Sequence, residues 1–593
     1  MSPIAPSHVV VDPSSRVACS SLLGTLVLVL ALAPVAARAE ADVFGLGNNQ
    51  HGNLSVRDPG IVINASTPLT AEAPAGASEL RVADVAGFAA GELVLLLQMG
   101  SDTALPGAGE TEVQVSLADS GAGRWELARL ESVEPGVLRL TAPLVRRFPS
   151  VSQVVRVPEY SDVRVSTNGS LVAPPWNGRS GGVLAFLTSG TVFNQGSLVA
   201  DGAGFRGGAA ETGTSMMYGC EALNGPVGSG GPSGGGSRKG EGISSVGAGA
   251  PPSGYGRLGN GGGGGNCHDA GGGGGALVGK GGRGGNSAQQ EDGGRAVGGH
   301  GGAALRFEEP RERLLLGGGG GAGHEGTAGG AGGGIIFIRA HEIQGPKPRG
   351  LITANGGSPV AATHGGGGGG GAGGSIHVRV ERRLGCTLLQ AQGGTGAYSD
   401  ISPGGGGGGG QLFLQGQNGV DSACTLSTNA GLAGTSPAGN GGAEPVGDAA
   451  ADFSGNTVII NQAFVVPAVS WVSPEAGEVI SPLSPLQGKT APGATVQVFV
   501  DGAPLGAPVV ADEAGGFSVV IPGDITEAPH EARAWAEQLG VRGALSAPLG
   551  FTVGELALRV GCGAAPATAG GGLGVLGLAL LAWGLGRRSR SRG

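Results

Sequence analysis

Four histidines are the first residues in this sequence that could do chemistry, because each flanks a run of glycines. They are His268, His300, His324 and His364. A shared metal site would need a regular ligand spacing, such as two histidines four residues apart on a helix, and their spacing is irregular. We therefore interpret all four as turn residues, and the sequence predicts no metal site and no cofactor.

Acidic residues bear on whether the chain could cleave polysaccharides, because lyases and hydrolases need clustered carboxylates. The repetitive part of the chain offers Glu342, Glu381, Asp400 and Asp421. They occur singly and on different parts of the repeat, which favours solvated surface charges. The glycine runs lack the aspartates of calcium-binding nonapeptides and the Lys-Ser/Thr ending of phosphate loops. We predict that the chain is not an enzyme, with a carbohydrate-active lyase or hydrolase as the alternative.

Four cysteines in the body of the chain favour disulfides if the chain is exported. They are Cys220, Cys267, Cys386 and Cys424. Cys386 and Cys424 each begin the word Cys-Thr-Leu, 38 residues apart, and equivalent positions in neighbouring parallel strands lie about 4.8 Å apart, within disulfide reach. The spacing predicts a disulfide between Cys386 and Cys424. The two remaining cysteines, Cys220 and Cys267, are then predicted to form a second disulfide. Free thiols or metal ligation are the alternatives, and no Cys-x-x-Cys supports metal.

A repeated unit in residues 333–416 must position these side chains. Each copy has a Gly-Gly pair, an alternating strand, a turn, a second strand ending in Ala-x-Gly-Gly, and a glycine run. The pairs end at Gly334, Gly374 and Gly410, 40 and then 36 residues apart. The positions two and four residues later should face inward: Ile336, Ile376 and Leu412, then Ile338, Val378 and Leu414. A repeat of this length indicates stacked coils.

An earlier copy begins at residue 181, with Leu184 and Phe186 in the inward positions. The second strands align Leu198 with Ile352 and Leu389. We predict a right-handed parallel β-helix over 166–440, with two strands per coil joined by glycine-rich turns. Residues 207–316 form a low-complexity insertion that either packs glycine backbones together in irregular coils or is a loosely ordered lobe.

The flanking segments also predict β-structure, so the expected fold class is all-β. Short strands in 40–165 indicate a small barrel or sandwich. After a linker at 441–466, residues 467–553 resemble the immunoglobulin-like modules of bacterial surface proteins, in which such a module is a stalk or adhesive spacer. Residues 554–566 are a second linker.

Composition excludes several classes of protein. Glycine supplies 128 of 593 residues, far above the usual share of about 7%, yet no Gly-X-Y period indicates collagen. The net charge of −9 argues against nucleic acid as a partner.

Both ends of the chain carry export features. The apolar run 22–32, followed by Ala37 and Ala39, predicts a signal peptide cleaved between Ala39 and Glu40, with a signal anchor as the alternative. Near the other end, Cys562 precedes an apolar stretch at 567–586 that is long enough to span a bilayer, and an arginine-rich tail at 587–593. We expect an exported protein attached to a membrane, with most of the chain outside the cytoplasm.

The order of cysteine, apolar helix and arginine cluster resembles the C-terminal sorting signal of myxobacterial surface proteins, which implies that Cys562 is the processed position. That signal often has two cysteines, and this chain has one. The words VFGLGNNQHGNLSV, VVRVPEYSDVRV and SGGVLAFLTSGTVFNQGSLVADGAGFRGG resemble the AgmC-like surface proteins associated with adventurous gliding motility. The resemblance implies an envelope-anchored structural or adhesive protein at the cell surface or outer membrane, with polysaccharide or other envelope proteins as partners.

Overall fold

The computed structural model describes residues 43–103, 114–211, 236–246, 253–287, 297–346, 348–437 and 453–554. Within these ranges the chain is all-β: apart from a 3-10 turn at Pro310–Glu312, its regular elements are strands.

The strands of the first part of the chain are β1 (Leu54–Val56), β2 (Ser66–Pro68), β3 (Glu79–Arg81), β4 (Leu93–Gln98), β5 (Gln114–Ser116), β6 (Trp125–Glu134), β7 (Val137–Leu140), β8 (Ser152–Val157), β9 (Glu159–Tyr160), β10 (Val163–Val165), β11 (Ser170–Val172) and β12 (Val183–Asn194). The middle part contains β13 (Ser197–Val199), β14 (Ala304–Arg306), β15 (Ile335–Gln344), β16 (Leu351–Thr353), β17 (Ser375–Val380), β18 (Leu388–Gln390), β19 (Gln411–Gln415), β20 (Thr425–Ser427) and β21 (Asn456–Ile460).

The last part contains β22 (Ser470–Ser473), β23 (Val479–Ile480), β24 (Pro485–Lys489), β25 (Thr495–Val500), β26 (Ala503–Pro504), β27 (Val509–Val510), β28 (Gly516–Val520), β29 (Pro529–Gln538), β30 (Val541–Arg542) and β31 (Leu549–Val553).

Two parallel sheets form the stacked coils that the repeat predicts. The long parallel sheet has the order β1-β10-β12-β15-β17-β19-β21, and the short parallel sheet has the order β11-β13-β16-β18-β20. Their facing side chains form one apolar column, because Ile336 pairs in register with Ile376, and Ile376 with Leu412. The inward residues and the register read from the repeat agree with this column.

The coils extend beyond the predicted bounds of 166–440 at both ends. β1 and β10 belong to the long parallel sheet, although they lie in the segment predicted to be a separate domain. At the other end β21 pairs with β19, although it lies in the predicted linker. None of these three strands follows the Gly-Gly pair that marks the other coils, so the sequence pattern does not reach them.

The outer face of the long parallel sheet is buried against the N-terminal part of the chain. There β2-β8-β4-β6-β7-β3 form an antiparallel sheet. Trp125 of β6 packs edge-on against Phe337 and His377, with ring centroids 5.2 and 5.9 Å apart. The outward positions of the repeat therefore build a second core rather than a solvent-exposed surface.

His377 is held neutral in this second core. Arg379 Nε donates a hydrogen bond of 3.0 Å to His377 Nε2, so the ring proton lies on Nδ1. Burial, followed by the nearby Arg379 and Arg339 guanidinium groups, keeps the pKa of His377 well below its usual value.

The glycine runs form a bundle of extended segments with three residues per turn. Along 271–276, backbone N–H groups bond in turn to three different neighbouring segments: Gly271 to Gly285, Gly272 to Gly367, Gly273 to Gly263, Gly274 to Gly282, Gly275 to Gly370 and Ala276 to Asn260. Each neighbour recurs every third residue, which is the symmetry of a polyproline-II helix, whose backbone has no internal hydrogen bonds. We call this array the glycine bundle.

The glycine bundle explains both the insertion and the long glycine runs of the coils. A Cβ at Gly274 would lie 1.9 Å from the carbonyl oxygen of Gly406, and one at Gly321 would lie 1.9 Å from that of Gly263. Because a Cβ would overlap the neighbouring backbone, only glycine allows these segments to lie so close together. The described part of 207–316 therefore packs backbone against backbone, which is the first of the two predicted alternatives. The long glycine runs, which the sequence predicted to be turns, are instead extended segments hydrogen-bonded to their neighbours.

Cys386 and Cys424 form a disulfide between neighbouring coils, with Cα atoms 4.8 Å apart. Cys267 is also disulfide-bonded, and Cys220, its predicted partner, lies outside the described residues.

Replacing both Cys386 and Cys424 by serine should lower the free energy of unfolding by about 4 kcal/mol, because the bridge closes a loop of roughly 38 residues in the unfolded chain. Chemical denaturation of oxidised wild type and the double variant measures the difference. The variant should be insensitive to reductant, and equal stability of the two proteins would contradict a structural role for the bridge.

Residues 470–553 form a two-sheet sandwich, as predicted for an immunoglobulin-like module. One sheet has the order β22-β24-β28 and the other β23-β31-β29-β25-β26. Val496, Val498 and Phe551 are among the residues of its core.

The predicted signal peptide, the Ala39–Glu40 cleavage point, Cys562, the apolar stretch 567–586 and the arginine tail lie outside the described residues. Among the described residues, none forms a helix with the length and apolarity required to cross a membrane.

A buried ion pair fastens the segment around residue 48 to the antiparallel sheet. The Glu159 side chain is fully buried. It accepts hydrogen bonds from Arg129 Nη1 and Nη2 at 2.8 and 2.9 Å, from Gln50 Nε2 at 2.8 Å and from the Asn48 backbone at 3.0 Å. The sequence VFGLGNNQHGNLSV, which contains Asn48 and Gln50, therefore has a structural role.

Glu159→Ala should destabilise the protein by about 3–5 kcal/mol, because it leaves the largely buried Arg129 charge without its carboxylate. Glu134→Ala is a matched control, since Glu134 pairs with Arg139 on the surface and should change stability little. Thermal unfolding of both variants gives the comparison, and similar melting temperatures would contradict this role of Glu159.

Candidate functional site

The structure places three of the predicted histidines in turns or bends, among them the fully buried His324, and the fourth in an extended glycine segment. His268, His324 and His364 lie in turns or bends beside glycine runs. His300 differs from the prediction, because it lies within the glycine bundle with its ring stacked on Tyr255 at 5.2 Å. Burial, with smaller contributions from nearby cations, lowers the pKa of His300 to about 4. No group of three or more metal-binding side chains occurs within the described ranges.

The acidic residues are less isolated than their sequence positions indicate. Arg383 lies 3.5 Å from Glu342 and 3.5 Å from Asp421, with different guanidinium nitrogens in the two pairs. Glu381 lies 2.6 Å from His341 of the neighbouring coil. Stacking brings residues of successive coils together, so the prediction of single, scattered charges was wrong for these three carboxylates.

The Arg383 edge, defined as Glu342, Arg383 and Asp421, borders a cavity of about 380 Å³ at the side of the coils. Its lining includes Arg383 and Asp421 together with Phe193, Gln344 and Cys386. All three charged side chains are partly exposed.

A ladder of polar side chains follows the short parallel sheet on its outer side. Thr353, Gln390 and Ser427 occupy one register position in successive coils, and the apolar Val199 occupies it in the coil before them. Two residues further along each coil come Asp201, Asn355, Gln392 and Asn429.

Hydrogen bonds connect this ladder from coil to coil. Asp201 accepts from the Asn355 backbone at 2.6 Å and from the Thr353 hydroxyl at 2.9 Å. The Asn355 side chain accepts from the Gln392 backbone at 2.8 Å, and Gln392 Nε2 donates to the Ser427 hydroxyl at 2.5 Å. The bonds fix the spacing of these side chains at that of the coils.

The ladder continues onto the outer layer of the glycine bundle with a period of three residues. In one coil, Gly393 and Gly396 donate to the next coil, and Gly394 and Ala397 donate to inner runs. The third direction faces solvent. The residues in that direction are at least partly exposed in all three coils: Asn355, Ser358 and Ala361; Gln392, Thr395 and Tyr398; Asn429, Leu432 and Thr435.

These nine residues form a lattice that we call the ladder face. Its rows are successive coils, about 4.8 Å apart, and three residues of a polyproline-II segment advance roughly 9 Å along each row. A cavity of about 470 Å³ opens on it, lined in part by Gln392, Thr395, Asn429, Leu432 and Ser454. Tyr398 lies at one side of the lattice, and its hydrogen bond to Asp400, 2.6 Å long, raises the pKa of the phenol, which therefore stays neutral.

The chemistry available on the ladder face is that of binding. Amides and hydroxyls supply neutral donors and acceptors at a fixed repeat. Tyr398 and Leu432 supply apolar surface, and the exposed fractions of these two residues are 38% and 54%. A polymer whose own hydrogen-bonding groups repeat could contact successive rows in the same way.

Sequence reasoning missed the ladder face, although a signal for it was present. In QGGTGAY and NAGLAGT every third residue is larger than the glycines and alanines between, and this period of three differs from that of a strand or an α-helix. A search limited to periods of 2 and 3.6 does not find it.

No protein-family model and no curated protein matches the sequence. Among solved structures, fibronectin(III)-like modules of Clostridium thermocellum CbhA match with 17% identity and a TM-score of 0.12. The match covers 14% of this chain and 94% of the other chain. The Gp54 tailspike of Acinetobacter baumannii bacteriophage AP22, in complex with A. baumannii capsular saccharide, matches with 9% identity and a TM-score of 0.15. The match covers 76% of this chain and 78% of the tailspike chain. The Pseudomonas phage phi297 tailspike gp61 matches with 12% identity and a TM-score of 0.14, and the match covers 84% of this chain and 87% of the tailspike chain.

The prediction that the chain is not an enzyme is corrected. The carboxylates whose isolation supported the prediction are in part joined through Arg383, so its reason does not hold. We therefore no longer describe this chain as a protein without catalytic activity.

Proposed function

We propose that this chain is an exported surface protein that binds a polysaccharide along the ladder face. The observation that carries the proposal is the lattice of nine side chains, seven of them amides, hydroxyls or a phenol, repeated at the spacing of the coils. Polysaccharides present hydroxyl groups at a regular interval, so several rows can bind one chain together, and weak contacts add along its length.

The ladder face also supplies a surface for sugar rings. Tyr398 and Leu432 are partly exposed, and an aromatic ring next to neutral hydrogen-bonding groups suits a ligand that is apolar on its ring faces and polar at its rim. The rigid hydrogen-bonded bundle beneath it reduces the ordering cost of binding.

A panel of soluble polysaccharides tests the proposal. The mature region should retain at least one neutral or acidic polymer in affinity electrophoresis or biolayer interferometry, and affinity should rise with oligosaccharide length until the rows are filled. The immunoglobulin-like module alone, as a control polypeptide, should not bind. Absence of binding to every polymer, including polysaccharide extracted from the producing cells, would contradict the proposal.

Envelope attachment belongs to the same proposal. The C-terminal order of Cys562, apolar stretch and arginine cluster supports anchoring, and the resemblance to myxobacterial sorting signals and gliding-motility proteins supports a role at the outer surface. Cys562→Ala should shift the protein from the surface fraction to the inner-membrane fraction. Unchanged fractionation would leave a simple membrane anchor and remove the sorting hypothesis.

Cleavage of the bound polysaccharide is the second candidate function, and the Arg383 edge favours it. Two carboxylates flank one guanidinium beside a cavity, and paired carboxylates are the groups that glycoside hydrolysis requires. If polymers that bind are also shortened, Glu342→Gln and Asp421→Asn should each abolish turnover, while Glu381→Gln should not. Turnover that survives both substitutions would exclude this edge as the catalytic site.

A further inference from the structure

A cavity of about 200 Å³ lies where three parts of the molecule meet. Trp125 of the antiparallel sheet, Arg311 of the 3-10 turn, Arg379 of the long parallel sheet and Gly540 of the immunoglobulin-like module all line it. Ligand sites occur preferentially at such junctions, because surfaces of several units can enclose a ligand that no one unit could. We call this space the junction cavity.

The aromatic wall of the junction cavity is fixed in place. Trp125 Nε1 donates to the Arg311 carbonyl oxygen at 3.4 Å, and the indole packs edge-on against Phe337. The guanidinium of the fully buried Arg339 lies 5.8 Å from the ring centroid. The ring is therefore a rigid apolar surface in a cationic environment.

Arginines outnumber carboxylates around the junction cavity. Its lining includes Arg146, Arg311, Arg379 and Arg542, against Glu126, Glu312 and Glu537. Two of these carboxylates are already engaged: Glu126 accepts from two backbone N–H groups at 2.8 and 2.9 Å, and Glu537 pairs with Arg542 at 3.2 Å. The depressed pKa of the neighbouring His377, to which Arg379 and Arg339 contribute, is consistent with positive potential at this place.

Arg311 has hydrogen-bonding capacity left over. Its Nε is buried and has no hydrogen-bond partner within the described residues, while its Nη2 pairs with Glu309 at 3.3 Å. Gly540 lies opposite with a φ of +75°, and a Cβ there would approach Arg311 Nε to 3.2 Å. Glycine at this position adds no side chain to the cavity beside Arg311.

From this geometry we propose that the junction cavity binds the oxyanion of a small acidic ligand, a carboxylate or a sulfate, independently of the ladder face. Arg311 and Arg146 donate to the anion, since guanidinium groups match the planar or tetrahedral oxygens of such groups. Trp125 packs against the remainder of the ligand. In a chain with a net charge of −9, this local excess of arginine attracts anions to one place.

Calorimetric titration of the full mature protein with sodium glucuronate and with sodium sulfate, at constant ionic strength in chloride, tests the proposal. We expect saturable 1:1 binding of at least one anion; glucuronate alone indicates an acidic sugar, and sulfate binding indicates a sulfate site. Arg311→Gln should weaken binding at least tenfold. Arg81→Gln, which changes an exposed arginine of the same N-terminal part, should leave binding unchanged.

Two outcomes overturn the proposal: no saturable binding of either anion by the unaltered protein, or equal binding by Arg311→Gln and Arg81→Gln, which indicates an adventitious ion only. If Arg311→Gln lowers the melting temperature, Arg146→Gln replaces it, because Arg146 is partly exposed. A further readout is Trp125 fluorescence, whose change on binding should disappear in Trp125→Phe.

Discussion

Gly321→Ala should unfold or severely destabilise the coiled part of the chain. The added Cβ would lie 1.9 Å from the carbonyl oxygen and 2.4 Å from the carbonyl carbon of Gly263. Both atoms belong to backbone that is hydrogen-bonded on several sides, so no rotamer change relieves the overlap. We expect a loss at or above the upper end of the roughly 1–3 kcal/mol typical of overpacked cores.

Gly357→Ala is the matched control in the same glycine bundle. There the nearest atom to an added Cβ is 3.2 Å away, and the residue is partly exposed. Because alanine also restricts the unfolded chain, this variant should be within about 1 kcal/mol of the wild type, in either direction. Soluble yield, thermal unfolding and amide exchange of both variants give the comparison. Equal behaviour would contradict the close-packed bundle.

Thr395→Arg should abolish polysaccharide binding, with an affinity loss of at least a hundredfold. Thr395 is exposed at the centre of the lattice and lines its cavity, so a long charged side chain covers the neighbouring rows without entering a core. Folding should be unaffected, because the position faces solvent.

The control for this prediction is Thr387→Arg, on the same coil but outside the lattice. It should bind as the wild type does. If Thr395→Arg binds normally while its melting temperature is unchanged, the ligand does not contact the ladder face.

The coils were predictable because their information is local and repeated. Alternating apolar residues after each Gly-Gly pair establish the inward face, and the same word at Cys386 and Cys424 establishes the register. The immunoglobulin-like module was predictable for similar reasons. By contrast, β1 and β21 join the coils only through pairing with strands distant in sequence, which no local pattern records.

The candidate sites were less predictable, because each depends on contacts between coils or between units. The Arg383 edge joins Glu342 with Asp421, residues from different coils. The junction cavity needs Gly540 of the immunoglobulin-like module beside Arg311. The glycine bundle was open to two interpretations, since glycine composition alone does not distinguish disorder from close backbone packing.

Hydroxyl-radical footprinting of the protein with and without a bound polysaccharide tests the ladder face most directly. Tyr398, Leu432 and Val360 are exposed on or beside it, whereas Leu483 and Val510 are exposed on the immunoglobulin-like module. We predict that oxidation of the first three falls several-fold on binding and that oxidation of the last two is unchanged. Protection of Leu483 and Val510, with Tyr398 and Leu432 still oxidised at the free rate, would contradict binding at the ladder face.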